Sequence, residues 1–148
     1  MSKGEKLLAG NPNARHDYHI LSTYEAGMEL TGTEVKSIRR GKVNIRDSYI
    51  NIRQGEMWLL NTHVSPYEEG NRFNVDPLRK RRLLMHKQEI RVLEQKVRLD
   101  GLTLVPLRVY LRKGIIKLEL GLARGKKNYD KRQDMIKREA ERAIKQHL

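Results

Sequence analysis

The stretch from Ile115 to Arg132 constrains this chain most. Over 115–122, Ile116, Leu118, Leu120 and Leu122 occupy alternate positions, and Lys117 and Glu119 fall between them. That period of two suits a half-buried β-strand and does not suit a helix. The strand then gives way, through Gly121-Leu-Ala-Arg-Gly125-Lys126-Lys127-Asn-Tyr129-Asp130-Lys131-Arg132, to a basic segment with little apolar surface. From 126 to 148, eight Lys and Arg stand against four Asp and Glu. Ile136, Ala140, Ile144 and Leu148 recur every four residues, and Asp134/Arg138 and Glu141/Lys145 are helix-supporting pairs. The apolar stripe is too narrow to hold a helix by packing alone. Residues 126–148 are therefore expected to be a basic tail, disordered alone and helical once bound.

The 148 residues suit one domain. A net charge of +13 far exceeds what keeps a small domain soluble and attracts phosphate. Nucleic acid is the first candidate partner and an anionic membrane surface the second. A run of about 18 apolar residues, the length a spanning helix needs, does not occur. Leu7-Leu8-Ala9 is too short for the apolar region of a secretory signal, so a cytoplasmic location is expected. Zero cysteines exclude a disulfide framework, a cysteine zinc site and a thiol nucleophile.

Residues 1–13 lack period and read as a mobile lead-in. Strands are expected from Asp17 to Tyr24, with a turn at Glu25-Ala26-Gly27 and a return at Met28–Leu30. Further strands are expected over Val43–Arg53, Met57–Val64, Leu102–Leu111 and Ile115–Leu122. Gln54-Gly55 and Lys113-Gly114 supply the hairpin turns. Thr33 is placed to cap a short helix that stops at Gly41. Ile90, Leu93 and Val97 mark a helix from about Lys87 to Asp100, ended by Gly101. Ser65–Asp76 reads as a surface loop. The sum is a mainly β fold with inserted helices: a small six-stranded antiparallel OB-like barrel over residues 14–125.

Gly121–Lys127 is not a phosphate-binding P-loop, which needs four residues between its glycines and Ser or Thr after the lysine. The two glycines read instead as a strand end and a hinge. The five histidines never take a two-ligand helical spacing, so no metal site is expected, and no nucleophile signature such as G-x-S-x-G occurs. The chain is expected to be no enzyme, with no cofactor and no small-molecule substrate. Arg79-Lys80-Arg81-Arg82, with Lys87, Arg91, Arg98 and Lys117, could form a phosphate-tracking surface. Tyr24 and Tyr129 are the aromatics best placed to stack on bases.

Several stretches together resemble one family: Ala14-Arg-His-Asp-Tyr18, Tyr24-Glu-Ala-Gly27, Gly32-Thr-Glu-Val-Lys-Ser37, Gly41-Lys-Val-Asn44, Arg46-Asp-Ser-Tyr49, Asn74-Val-Asp-Pro77, Gly121–Lys127 and Tyr129-Asp-Lys-Arg132. Over about residues 11–138 the chain is similar to small protein B (SmpB), the bacterial SsrA-binding protein family. The resemblance implies an OB-like barrel that binds the tRNA-like domain of transfer-messenger RNA and accompanies it into the vacant A site of a stalled ribosome, for trans-translation. It further implies that the tail occupies the empty mRNA channel at the decoding centre.

Carried over by position, the family's RNA contacts fall on Asn11, Glu25, Leu84, His86 and Lys117, with Lys126 and Lys127 beside the tail. The decoding-site motif falls on Tyr129, Asp130, Lys131 and Arg132. Asn11 and His86 can hydrogen-bond base edges or ribose, Lys117 can neutralise a phosphate, Leu84 can meet an unstacked base, and Glu25 must accept hydrogen bonds. Asn11-Pro12-Asn13 departs from the family in lacking basic neighbours. Two other classes are weighed beside this reading: a structural ribosomal protein, with a similar basic barrel and tail, and an RNA-modifying enzyme.

Overall fold

The computed structural model describes residues 4–126. Among them the strands are β1 (Glu5–Gly10), β2 (Tyr18–Met28), β3 (Val43–Asn44), β4 (Tyr49–Arg53), β5 (Glu56–Leu60), β6 (His63–Val64), β7 (Arg81–Leu84), β8 (Thr103–Arg112) and β9 (Ile115–Gly125). The helices are α1 (Ala14–Asp17), α2 (Gly32–Arg39) and α3 (Lys87–Asp100), with a 3-10 turn over Glu68–Phe73. The fold is mainly β with inserted helices, as the patterning requires. The six expected strands become seven in one antiparallel sheet, ordered β1-β8-β9-β2-β7-β5-β4, and β3 with β6 forms a separate two-stranded ribbon.

β9 keeps its alternation: Ile116, Leu118, Leu120 and Leu122 are buried in the main core. Its neighbours do not stay regular. The register shifts between Ile20 and Ser22 in β2 and between Pro106 and Arg108 in β8, and β1 shifts between Leu7 and Ala9. Each extra residue turns the following side chains to the other face. Tyr18 and Ile20 thus pack with Ala14, Val105, Leu107 and Ala123 in a small cluster, whereas Tyr24 and Val109, farther along, join the main core. Bulges also sharpen twist, and the sheet curls until β4 lies against β8. Gly121 sits where a Cβ would stand 3.0 Å from Ile20 Cγ2 and 3.2 Å from Leu107 Cδ1. It is a close-approach residue inside β9; Gly125 alone ends the strand.

Several local expectations are corrected. Glu5–Gly10, placed in a mobile lead-in, pairs with β8 from Glu5↔Arg112 to Gly10↔Arg108. No turn occurs at Glu25-Ala26-Gly27; β2 runs on because Gly27 and Met28 pair with Leu84 and Leu83 of β7. The Val43–Arg53 and Met57–Val64 strands each break in two. Asn44 Oδ1 accepts the Arg46 N–H at 2.9 Å, a local bond that competes with the ladder, and Asn61 takes a positive φ of 59°. α2 starts earlier than expected, because Thr31 and Glu34 form a reciprocal capping box. α3 spans the expected residues, with Gly101 left-handed at φ 66°. Both hairpin turns have positive φ at each central residue, Gln54-Gly55 and Lys113-Gly114.

The basic tetrad is not a loose phosphate-binding loop. Alternation along β7 sends Arg81 inward, where it is fully buried, and its Nε donates to Glu34 Oε2 at 2.6 Å while Nη1 donates to the Thr62 carbonyl at 2.8 Å. Arg79 Nη2 donates to Glu34 Oε1 at 2.6 Å. Arg82 bridges Glu29 and Glu56. Burial pushes the Glu34 carboxyl up, but hydrogen bonds from Arg79 and the Thr31 N–H, with the charge of Arg81, outweigh it and hold the group below its usual value. Glu34→Ala should destabilise the fold by roughly 3–5 kcal/mol in chemical denaturation, because it strands a buried guanidinium. A carboxyl depressed in the folded state stabilises above its unfolded value, near 4.5, and loses that contribution as pH falls through the lower folded value. Acid unfolding of the Glu34→Gln variant should lack that component.

Candidate nucleic-acid interface

The outward face of β1, β8, β9 and β2 carries the charge that the core excludes. Strand pairing sets Glu25 of β2 opposite Glu119 of β9, a repulsive cross-strand pair in isolation. Arginines on the next strand compensate it. Arg108 Nη2 lies 3.1 Å from Glu119 and its Nη1 lies 3.2 Å from Glu5. Arg112 Nη1 lies 2.5 Å from Glu25 Oε2, and its Nη2 reaches Glu5, whose side chain is only 3% exposed. Between the two arginines, the Tyr110 hydroxyl donates to Glu25 Oε2 at 2.6 Å. Its ring centroid lies 4.2 Å from Arg108 Cζ and 5.5 Å from Arg112 Cζ, within cation–π range. Burial, then the carboxylate of Glu25, pushes the Tyr110 hydroxyl well above its ordinary value of 10, so it remains a donor.

Four of the expected contacts meet around one concavity of about 400 Å³, lined by Glu25, Gly27, Leu84, Met85, His86, Glu89 and Lys117. Each is placed by a different element. Lys117 lies outward on β9, pairing with Gly27 of β2, and its Nζ is 3.9 Å from Glu25 Oε1. Gly27 is also paired with Leu84 of β7, and a Cβ there would touch the Leu84 side chain at 3.4 Å. Leu84 remains 46% exposed. His86 is the exposed N-cap residue of α3; it makes no side-chain cap bond and lines the concavity.

The other candidates lie elsewhere. Asn11 lines a neighbouring concavity of about 440 Å³ with Arg15, Arg108 and Glu119. Its Nδ2 donates to the Pro106 carbonyl at 2.9 Å, and its Oδ1 is buried with no partner among the described residues. Tyr24 is not at a hairpin end: it lies within β2, half-buried against the core, with its hydroxyl accepting from Ser22 Oγ at 3.2 Å. Lys126 Nζ donates to the Arg15 carbonyl at 3.1 Å. Lys127, Tyr129, Asp130, Lys131 and Arg132 lie outside the described residues. Lys87, Arg91 and Arg98 are exposed on α3.

Sequence reasoning missed Glu5, Arg108, Tyr110 and Arg112. The signal was present in Arg108-Val-Tyr110-Leu-Arg112, whose polar members share one face of a strand. What could not be seen was that Glu5 and Glu25 would flank them on either side.

A family model described as SmpB protein matches residues 8–148. The chain belongs to the SmpB family. It is 60% identical to the SsrA-binding protein of Carboxydothermus hydrogenoformans over 144 residues, covering 97% of each chain. It is 61% identical to that of Desulforudis audaxviator, covering 95% of this chain and 92% of the relative, and 56% identical to that of Desulfitobacterium hafniense strain DSM 10664 / DCB-2, covering 99% and 94%. Among solved structures, a chain from "tmRNA-SmpB: a journey to the center of the bacterial ribosome" superposes with a TM-score of 0.65 at 56% identity, covering 79% of this chain and 82% of the other.

Proposed function

We propose that this SmpB-family chain binds transfer-messenger RNA and delivers it to stalled ribosomes in trans-translation, acting in the cytoplasm as a non-catalytic RNA-binding factor. Identity to SsrA-binding proteins over nearly the whole length supports the activity. The convergence of Glu25, Leu84, His86 and Lys117 from separate elements onto one concavity is the observation that carries the site. Lys117 neutralises a phosphate, Leu84 offers an apolar surface to an unstacked base, and Glu25 and His86 supply hydrogen bonds, the means by which proteins read single-stranded and looped RNA. Asn11 extends the contact to the concavity it lines with Arg108 and Glu119, and Lys126 and Lys127 carry it toward the tail. Tyr24 serves the core and is a poor stacking surface. The platform through Gly125 holds the tRNA-like domain, and the tail with Tyr129, Asp130, Lys131 and Arg132 engages the decoding centre and the mRNA channel.

Binding measured over a salt series should favour transfer-messenger RNA over ordinary tRNA. About four neutralised phosphates correspond to a log–log slope of roughly −3 to −4. Equal affinity for both RNAs at every salt would refute the specificity. Lys117→Ala should weaken binding and make that slope shallower by about one, whereas Leu84→Ala should weaken it without changing the slope. Truncation after Gly125 should leave RNA affinity within a fewfold while abolishing tagging on stalled ribosomes; loss of RNA binding on truncation would overturn the division between platform and tail. Presence on all washed ribosomes in equal stoichiometry would favour a structural ribosomal protein instead.

A further inference from the structure

An acidic side chain on a phosphate-binding surface needs an explanation, because an unpaired carboxylate repels the ligand. Glu25 is not unpaired. Its Oε2 accepts from the Tyr110 hydroxyl at 2.6 Å and faces Arg112 Nη1 at 2.5 Å, which occupies that oxygen's lone pairs. Among the described residues its Oε1 has only Lys117 Nζ, at 3.9 Å, beyond hydrogen-bond reach. Arg112 is in turn held by Glu5, which also takes Arg108, and the two guanidiniums flank the Tyr110 ring. One carboxylate oxygen is thus tied down, the charge is compensated by neighbouring cations, and the other oxygen is left free on a residue that lines the concavity.

We propose that Tyr110 and Arg112 are positioning residues for RNA recognition: they hold Glu25 in one orientation, so that Oε1 accepts an N–H or a 2′-hydroxyl from a nucleotide seated in the Glu25–Leu84–His86–Lys117 concavity. The proposal rests on the transfer-messenger RNA reading above. Fixing the acceptor before binding removes the ordering cost that a free glutamate would incur on contact. Tyr110 suits the task because its hydroxyl stays protonated and donating. Its ring also resists displacement, being almost wholly buried.

The test is a double-mutant cycle on the full chain, with the tRNA-like domain of transfer-messenger RNA as probe. Tyr110→Phe keeps the ring and the fold while deleting one hydroxyl. It should weaken binding about 3- to 10-fold, less than the full worth of a hydrogen bond to a charged group because Arg112 still holds the same Glu25 oxygen, and leave the salt slope unchanged because no charge is removed. Glu25→Ala should weaken binding at least as much. In the Glu25→Ala background, Tyr110→Phe should change affinity by less than about twofold, since residues acting through one another are not additive. Arg112→Gln, at a side chain 43% exposed, repeats the cycle with a variant that leaves Tyr110 itself unchanged. Losses that multiply in the double variant, or a Tyr110→Phe protein that binds normally while Glu25→Ala binds weakly, would overturn the positioning role. Failure of the unmodified chain to prefer transfer-messenger RNA would overturn the reading beneath it.

Discussion

The inward burial of Ile116, Leu118, Leu120 and Leu122 along β9 is the constraint on which the rest depends. Full burial of such side chains contributes on the order of 1.5–3 kcal/mol each, enough to exclude a register slip that would turn all four outward. Once that face is committed to the core, Lys117 and Glu119 must point to solvent. β9 is also flanked on both sides, by β8 and β2, so its alternation dictates which residues of three strands form the outer surface. The bulges in β2 and β8 are accommodated around it, and Gly121 lets Ile20 and Leu107 close over the strand where those bulges shift the packing.

Charge is distributed by chemistry as much as by number. Arg79, Arg81, Arg82, Arg108 and Arg112 are engaged with Glu5, Glu25, Glu29, Glu34, Glu56 and Glu119. The planar guanidinium can serve two carboxylates at fixed geometry, as Arg82, Arg108 and Arg112 each do, and this suits it to holding strands and helices in place. Lys117 and Lys126 are the looser cations, one 3.9 Å from a carboxylate and the other on a carbonyl. A compact ammonium on a flexible stem suits a phosphate whose position is set by the RNA. The basic character of the chain therefore overstates how many of its cations are available to a polyanion.

The same separation explains why some family motifs are structural. Thr31 and Glu34 cap α2 while Glu34 anchors Arg79 and Arg81, so Gly32–Ser37 ties α2 to the segment that leads into β7. Asn74 clamps Tyr67 through two 2.8 Å bonds to its backbone. Neither motif touches the concavity, yet β7 presents Leu84 to it and continues toward His86. Disturbing the buried ion pairs would displace the rim of the site without altering any residue that lines it.

Legibility followed the range of the interactions. α3, its glycine stop, both two-residue hairpins and the β9 stripe were readable because period, turn chemistry and left-handed φ are local properties. The β1 strand was not: Glu5–Gly10 has no period of its own and becomes a strand only because β8 offers a free edge. Nor were the bulges, which turn Tyr24 to the main core, whereas an unbroken period of two would keep it on the face of Tyr18 and Ile20. By itself the sequence determined a basic, mainly β chain of the SmpB type, the inward face of β9 and the residue types able to meet RNA. Only the tertiary structure decided that Arg81 is buried, that Tyr110 and Arg112 grip Glu25, and that Leu84 and His86 come to Lys117, since those relations join residues tens of positions apart and arise from strand order.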